Sequence, residues 1–174
     1  GFGEWTRTRP IGNAWVGNLN TSLIALNRNK RSLTLNLKTK EGLDILYRLL
    51  KGADVLVSNF RPEVNKRLRT DYESVKTVNP NIIYCAITGF GEDGPYAHRP
   101  GQDLLIQGLS GVAWNAGRKN DPPIPLGTFV ADATTGNLAV IGIVSALYHR
   151  EKTGEGQKIS INLLSSIMDV QIQE

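Results

Sequence analysis

Two short apolar runs enclose a polar stretch of helical character near the middle of the chain. The first run covers residues 54–57 and the second covers residues 82–87. Continuous apolar runs, rather than alternating ones, are typical of strands buried in a parallel sheet. A strand, a crossover with a helix and a second strand form a βαβ unit. We therefore predict an α/β fold with a Rossmann-like, open and mostly parallel sheet flanked by helices.

Polar segments rich in glycine and proline follow both apolar runs. Residues 58–62 follow the first run, and residues 88–95 follow the second. Ligands of open α/β sheets bind beyond the carboxyl ends of the strands. The sequence therefore predicts a ligand site where these two segments meet.

Periodicity and turn residues predict the remaining elements. These are an irregular segment at 1–22, a strand with one exposed face at 33–37, a helix that starts at 39 and ends at Gly52, helices at 103–112 and 133–148, a strand at 157–162 and a helix from 163 onwards. The helix at 133–148 is rich in small residues, which allow close backbone approach. We expect it to pack on more than one side.

Charge and cysteine content limit the kinds of partner and compartment. The formal net charge of +4 fits an anionic ligand or a weak nucleic-acid surface and selects neither. Cys85 lies in a predicted buried strand, so we expect a core residue, no intramolecular disulfide and a reducing, cytoplasmic compartment. The longest apolar run, 138–147, is about half the roughly 20 residues that a membrane-spanning helix needs. We therefore expect no membrane partner.

Six motifs then occur along the chain in a fixed order. They are NKRSLTLNLK at 29–38, NFRP at 59–62, NPNIIY at 79–84, GFGEDGPY at 89–96, RPGQD at 99–103 and EKTGEGQ at 151–157. In this order they resemble the class III CoA transferases of the formyl-CoA/carnitine-CoA transferase type (CaiB/BaiF-like). The resemblance extends over nearly the whole chain.

The resemblance implies a partial large domain over residues 1–174, with the opening βαβ unit and the small second domain of the family missing. It also implies an interlocked homodimer in the full-length form. The family moves CoA between an acyl-CoA thioester and a small carboxylic acid through an enzyme-bound aspartyl anhydride. CoA or acyl-CoA is then a substrate, and no metal and no nucleic acid is expected.

The resemblance also places candidate catalytic residues. The position of the family's catalytic Asp falls on Ser165, and Asp169 lies one helical turn further on, on the same face and about 6 Å along the axis. Three interpretations stay open: an inactivating replacement, a role for Asp169 in place of Ser165, or altered chemistry. Asp103 matches an acidic position near the family's active site and is also expected to cap the helix that begins at Leu104.

For CoA, the resemblance points to five residues: Leu35, Lys38, Asn59, Phe60 and Arg67. Lys38 and Arg67 would neutralise phosphate groups, and Phe60 would offer its face to the adenine. Without the resemblance, the two cations would be interpreted as a solvated basic surface.

Three alternative functions are weighed against transfer. A non-catalytic acyl-CoA-binding or assembly module would keep the fold without the chemistry. An α-methylacyl-CoA racemase-like isomerase would need a His where this chain has Gln102. A nucleic-acid-binding domain would need aromatic residues interleaved with Lys and Arg, whereas the aromatic residues here are scattered.

Overall fold

The computed structural model describes residues 7, 14–118 and 120–171. These residues fall into two compact units, divided between Thr34 and Leu35.

The first unit contains a small hairpin and a short helix. Strand β1 (Trp15–Val16) pairs antiparallel with β2 (Leu19–Asn20), and α1 (Thr21–Leu26) follows directly. Gly17 turns the chain with a φ of +58°. The prediction of a loop with at most one helical turn at 1–22 misses this hairpin, which a tight turn at Gly17 and the Asn20 helix cap order. Residues 1–6 and 8–13 lie outside the described residues.

The second unit carries a parallel sheet with helices on both faces. Its elements in chain order are α2 (Lys40–Leu50), β3 (Val55–Ser58), α3 (Pro62–Leu68), α4 (Tyr72–Lys76), β4 (Ile83–Thr88), α5 (Asp103–Leu109), α6 (Val112–Asn115), α7 (Val130–Thr153), β5 (Lys158–Asn162) and α8 (Leu163–Asp169). The strand order is β3-β4-β5, and both pairs are parallel. The predicted α/β fold and the central βαβ unit are confirmed.

Two sequence predictions of local structure are corrected. The alternating segment 33–37 is not a strand, because the Asn36 carbonyl bonds to Thr39 instead of a neighbouring strand. The predicted helix at 103–112 is two helices, because Gly111 adopts a φ of +87° between them.

The central strand β4 is buried on both faces. Tyr84 and Ala86 pack on one face with residues of α2 and α4, including Leu50 and Val75. On the other side, Ile87 packs with a second cluster drawn from α5, α7 and α8. Cys85 is a free, fully buried thiol in this strand. Burial on both faces explains why β4 is a continuous apolar run in the sequence.

Helix α7 approaches the sheet through its small residues. A Cβ added to Gly142 would lie 3.1 Å from the Ile159 side chain, and Ala139 and Ala146 are buried one turn to either side. The opposite side is exposed and apolar, at Val140, Ile141, Val144 and Tyr148. Within the described residues, α7 packs against β4, β5, α5 and α8, and the side that carries these four apolar residues remains exposed.

Length and hydropathy also mark α7 out. It has 24 residues, and an 18-residue window within it has a mean hydropathy of 1.5, so it is the one described helix long and apolar enough to cross a membrane by length and composition. The core helix of a soluble protein meets the same criteria, so this finding is weak evidence of a membrane span.

The far end of α7 is fastened to the sheet. The Arg150 guanidinium lies 2.7 Å from an Asp54 carboxylate oxygen and donates to the Asn81 carbonyl at 3.1 Å. Asp54 directly precedes β3, and Asn81 lies two residues before β4. The carboxyl end of α7 is therefore held at the amino ends of two strands.

Candidate functional site

A cavity of about 370 Å³ lies at the carboxyl ends of all three parallel strands. Asn59 follows β3, Gly89 follows β4 and Leu163 follows β5, and all three line the cavity. The two glycine- and proline-rich segments therefore meet at one cavity, where the sequence predicts a ligand site. The rest of the lining comes from α3, from residues 97–101 and from the start of α7.

Asn65 on α3 fixes the segment that follows β3. It is buried, its Oδ1 accepts the Ser58 hydroxyl at 3.0 Å, and its Nδ2 donates to the Phe60 carbonyl at 3.2 Å. Its Oδ1 also accepts the Thr70 hydroxyl at 2.9 Å. These bonds hold Asn59 and Phe60 at the cavity, and 45% of the surface of Phe60 remains exposed there.

Asp132, in the first turn of α7, is the one carboxylate among the described residues that line this cavity. It keeps contact with solvent through the cavity, while the walls displace part of its hydration. This burial, and then the negative charge of Asp103, raise the pKa of Asp132 above its ordinary value. A carboxylate with a raised pKa in a cavity is a candidate catalytic group.

Asp103 orders the backbone around Asp132. It is buried, and its Oδ2 accepts the Asp132 backbone N–H at 3.0 Å. Its Oδ1 accepts a hydrogen bond from the Gln107 amide. The prediction that Asp103 caps its own helix is wrong: Gln102 occupies the cap position of α5, and Asp103 is the first helical residue and bonds to α7 instead.

Gln107 extends this network to the loop that precedes α7. Its Nε2 donates to the Thr128 carbonyl at 3.0 Å, and its Oε1 accepts the Leu126 N–H at 2.8 Å. Gln107 is buried, so each of these bonds replaces hydration that the loop loses. The first turn of α7, and with it Asp132, is thus held from α5.

Ser165 and Asp169 lie on the exposed side of α8. The Asn162 side chain caps this helix and accepts the Ser165 backbone N–H at 2.8 Å. Leu163 lines the cavity, whereas neither Ser165 nor Asp169 is among its lining residues. The structure therefore does not bring these two candidates together with Asp132.

A second cavity of about 590 Å³ is strongly basic. Its lining includes the cations Lys38, Lys40, Arg67 and Arg69 and, among the described residues, no carboxylate. The structure thus brings Lys38 and Arg67 together, as expected of a phosphate site. Leu35 is not among the lining residues, and Leu37 takes its place.

The turn that presents Lys38 and Lys40 is defined by close contacts. Asn36 Oδ1 accepts the Lys38 N–H at 3.2 Å, and Thr39 caps α2 by accepting the Gly42 N–H at 3.2 Å. A Cβ on Gly42 would lie 2.1 Å from the Asn36 carbonyl oxygen, so only glycine fits here.

Helix α3 connects the two cavities. Pro62 and Val64 at its beginning line the first cavity, and Arg67 and Leu68 at its end line the second. Seven residues of α-helix span about 10 Å. An extended ligand with an anionic end and a reactive end fits this arrangement.

Sequence reasoning missed Asp132, Arg99 and Gln107. A usable signal existed for Asp132, because an acidic residue directly before the predicted helix at 133–148 belongs to a helix amino terminus. No spacing rule relates Arg99 or Gln107 to the cavity. Among the described residues there is no cluster of three or more metal-ligating side chains.

Curated relatives of the chain are CoA transferases. Succinate–glutarate CoA-transferase of Agrobacterium fabrum is 44% identical over 140 residues, which make up 80% of this chain and 35% of that protein. Acetyl-CoA:oxalate CoA-transferase of Acetobacter aceti is 38% identical over 169 residues, or 97% of this chain and 43% of that protein. The chain thus spans 35% to 43% of the length of these two relatives.

Solved structures share the fold. A CaiB/BaiF family protein from Brucella suis superposes with a TM-score of 0.88 at 41% identity, covering 95% of this chain and 44% of that chain. A hypothetical protein from Mycobacterium tuberculosis gives a TM-score of 0.79 at 28% identity and covers 84% of this chain and 41% of that chain.

A parallel sheet between two helical layers, with a cavity at its carboxyl edge, defines an open α/β fold, the class of protein in which ligands bind at that edge. The model of CoA-transferase family III matches residues 3–174, and the chain belongs to this family. The resemblance drawn from the six motifs is therefore confirmed.

Proposed function

We propose that the protein transfers CoA between an acyl-CoA thioester and a small carboxylic acid, with Asp132 as the nucleophile. The observation that carries this proposal is the Asp132 carboxylate at the carboxyl edge of the sheet, next to a basic cavity suited to the phosphates of CoA. The relatives named above are CoA transferases, and succinate, glutarate and oxalate in their names are small acids with two carboxyl groups.

CoA spans both cavities in this proposal. Lys38, Lys40, Arg67 and Arg69 neutralise its phosphate groups at the second cavity. The pantetheine arm follows α3, and the thioester reaches the first cavity. Stacking of Phe60 on the adenine, which the family resemblance implies, stays a prediction.

The chemistry needs a carboxylate because only an acid forms a mixed anhydride with a thioester's acyl group. An Asp132 oxygen attacks the thioester carbonyl carbon, the C–S bond breaks, and the CoA thiolate carries away the electron pair. The thiolate then attacks the Asp132 carbonyl carbon and releases the donor acid as its carboxylate. The acceptor carboxylate then attacks the aspartyl-CoA thioester, which forms a new mixed anhydride and releases the CoA thiolate. The thiolate attacks the acceptor's carbonyl carbon, which gives the new acyl-CoA and frees Asp132.

The raised pKa of Asp132 suits this role. A carboxylate that is less well solvated is a stronger nucleophile, provided that it is ionised at the working pH. Asp103 contributes in two ways, because its charge raises the pKa and its hydrogen bond fixes the Asp132 backbone.

Covalent trapping tests the proposal. The purified chain is incubated with succinyl-CoA and quenched with hydroxylamine, which converts an aspartyl anhydride or thioester to a hydroxamate that peptide mass spectrometry locates. We expect the hydroxamate at Asp132, its loss in Asp132→Asn and its retention in the matched variant Asp169→Asn. A hydroxamate at Asp169 instead would assign the nucleophile to α8.

The second candidate function is a non-catalytic acyl-CoA-binding or assembly module. It predicts saturable CoA binding with no hydroxamate at any residue. The racemase-like alternative has less support, because Gln102 is exposed and does not line the cavity that holds Asp132.

The family resemblance also supports a proposal about assembly and location. We infer that the protein acts as a homodimer in the cytoplasm. Sedimentation velocity at several concentrations would reveal a dimer, and a single monomeric species throughout would contradict this inference.

A further inference from the structure

The loop between β4 and α5 closes on itself at the rim of the first cavity. The two ends of the loop meet at Gly89 and Gly101, and we call this contact the neck of the loop. A Cβ on Gly101 would lie 2.3 Å from the Gly89 Cα. Within the loop, the Arg99 N–H donates to the Tyr96 carbonyl at 2.9 Å. The loop therefore returns to its starting point and places Arg99 among the lining residues.

Aromatic packing supports Arg99 from the core. Phe90 packs against the buried cluster that includes Ala131, the neighbour of Asp132. Tyr96 meets Phe90 edge to face, with ring centroids 5.6 Å apart. The Arg99 guanidinium lies over the Tyr96 ring, 4.3 Å from its centroid. This stack restricts the side chain without using the hydrogen-bonding capacity of the guanidinium.

The charges around the cavity single out Arg99. Arg61 also lines it, but the Arg61 side chain pairs with Glu63 at 3.4 Å. Arg99 is exposed, and none of the ion pairs in the described part of the chain includes it. A guanidinium that is held in place and not neutralised is suited to a carboxylate, which it binds with two parallel hydrogen bonds.

We propose that Arg99 binds a second carboxylate of the acid substrate, so that the first cavity selects short dicarboxylic acids. This inference rests on the proposed function. One carboxylate of the substrate reacts at Asp132 and loses its charge in the anhydride or thioester. The other carboxylate takes no part in bond making, stays ionised and pairs with Arg99 throughout the exchange.

The phosphates of CoA do not account for Arg99. Four cations already line the second cavity, at the other end of α3. Arg99 instead lines the same cavity as Asp132, which holds the reacting end of the ligand in the proposed function. Its loss should therefore change the choice of acid and leave CoA affinity unchanged.

Calorimetry with a matched pair of acids tests the proposal. The chain is saturated with CoA and titrated with glutarate and with pentanoate, which have the same number of carbon atoms and differ by one carboxylate. We expect glutarate to bind at least about tenfold more tightly than pentanoate, the gain of one charge-assisted bidentate pair. Arg99→Gln should abolish this preference, and Arg99→Lys should restore part of it.

Two controls separate the possible outcomes. Arg48→Gln removes an exposed arginine from α2, outside both cavities, and should keep the preference. Circular dichroism checks that each variant is folded, and CoA affinity is measured for each. An unchanged preference in Arg99→Gln, or weaker CoA binding in that variant, would overturn the inference.

The outcome also distinguishes this inference from the proposed function. A chain that forms the hydroxamate at Asp132 but does not prefer glutarate contradicts the role of Arg99 alone. A chain that prefers glutarate through Arg99 but forms no hydroxamate contradicts transfer alone. A chain that forms no hydroxamate and shows no preference for glutarate contradicts both the transfer reaction and the role of Arg99.

Discussion

The Asp103 carboxylate accepts the backbone N–H of Asp132 at 3.0 Å, while its charge disfavours ionisation of the Asp132 side chain. One residue on α5 thus fixes the position of the candidate nucleophile and adjusts its proton affinity. An Asn side chain has the shape of the carboxylate without its charge, and its oxygen can keep the bond to the Asp132 N–H. Its amide nitrogen cannot accept the Gln107 hydrogen bond, so that second bond is lost.

Asp103→Asn should lower the pKa of Asp132 toward the ordinary aspartate value. The amide oxygen of the substituted side chain would still accept a hydrogen bond, but the repulsion between the two charges would be gone. Titration of the Asp side-chain carboxyl carbons by NMR measures the change, with Asp169→Asn as the control. An Asp132 pKa that is unchanged or higher would show that Asp103 acts through geometry alone.

Asp132→Asn should flatten the dependence of stability on pH. The folded pKa of Asp132 is raised, so the folded chain binds a proton more tightly than the unfolded chain does. The free energy of unfolding therefore declines as pH rises from the unfolded pKa through the folded one. Urea unfolding of the wild type and the variant across this range measures the difference. A steeper decline in the variant would contradict the raised pKa.

Lys38→Ala and Arg67→Ala should each weaken CoA binding by about tenfold or more, the loss of one charge-assisted hydrogen bond to phosphate. Both side chains line the basic cavity. Arg48→Ala on the exposed side of α2 is the control. Calorimetry at two salt concentrations should also show a smaller salt effect in the two cavity variants than in the control. Equal affinities in all three variants would place the phosphates elsewhere.

Gly101→Ala should destabilise the chain by about 1–3 kcal/mol, the usual cost of inserting a methyl group into a filled space. The new Cβ would lie 2.3 Å from the Gly89 Cα, so the neck of the loop would have to open. Gly127→Ala is the matched control, because a Cβ there meets nothing within 4 Å. Equal midpoints of thermal unfolding for the two variants would be inconsistent with the contact.

Tyr84→Phe should cost about 1 kcal/mol at neutral pH, the net value of a typical buried hydrogen bond. The Tyr84 hydroxyl donates to the Thr70 carbonyl at 2.9 Å, and burial raises the pKa of Tyr84 to about 12. In the wild type, stability from this residue is complete below pH ~10 and is lost as pH rises through about 12. The variant should lack this alkaline loss, whereas Tyr148→Phe at an exposed site should retain it.

The sequence predicts best where one physical rule acts alone. The runs at 54–57 and 82–87 match β3 and β4 to within one residue. Burial on both faces explains the continuous apolar pattern of β4, whereas β3 is only partly buried and its Val57 is exposed. The alternation at 33–37 fails as evidence for a strand, since a strand also needs a partner and Asn36 bonds to Thr39 instead.

The candidate site also divides into residues that the sequence predicts and residues whose role depends on tertiary contacts. The family resemblance implies Lys38 and Arg67 as CoA contacts, and the two residues line one cavity. Ser165 is the residue that follows the stretch 157–164, which matches the family motif, and the structure leaves it exposed and outside the cavity lining. Asp132 and Arg99 gain their significance from tertiary contacts with Asp103 and Tyr96, which no local pattern encodes.

Helix α7 is a stiff rod about 36 Å long that carries Asp132 at one end and is clamped by Arg150 at the other. The Arg150 contacts with Asp54 and Asn81 oppose tilting of the helix and thereby help to hold Asp132 in place. Asp132, the candidate nucleophile, is thus carried by a helix that has contacts at both ends, with Asp103 near its beginning and with Asp54 near its end.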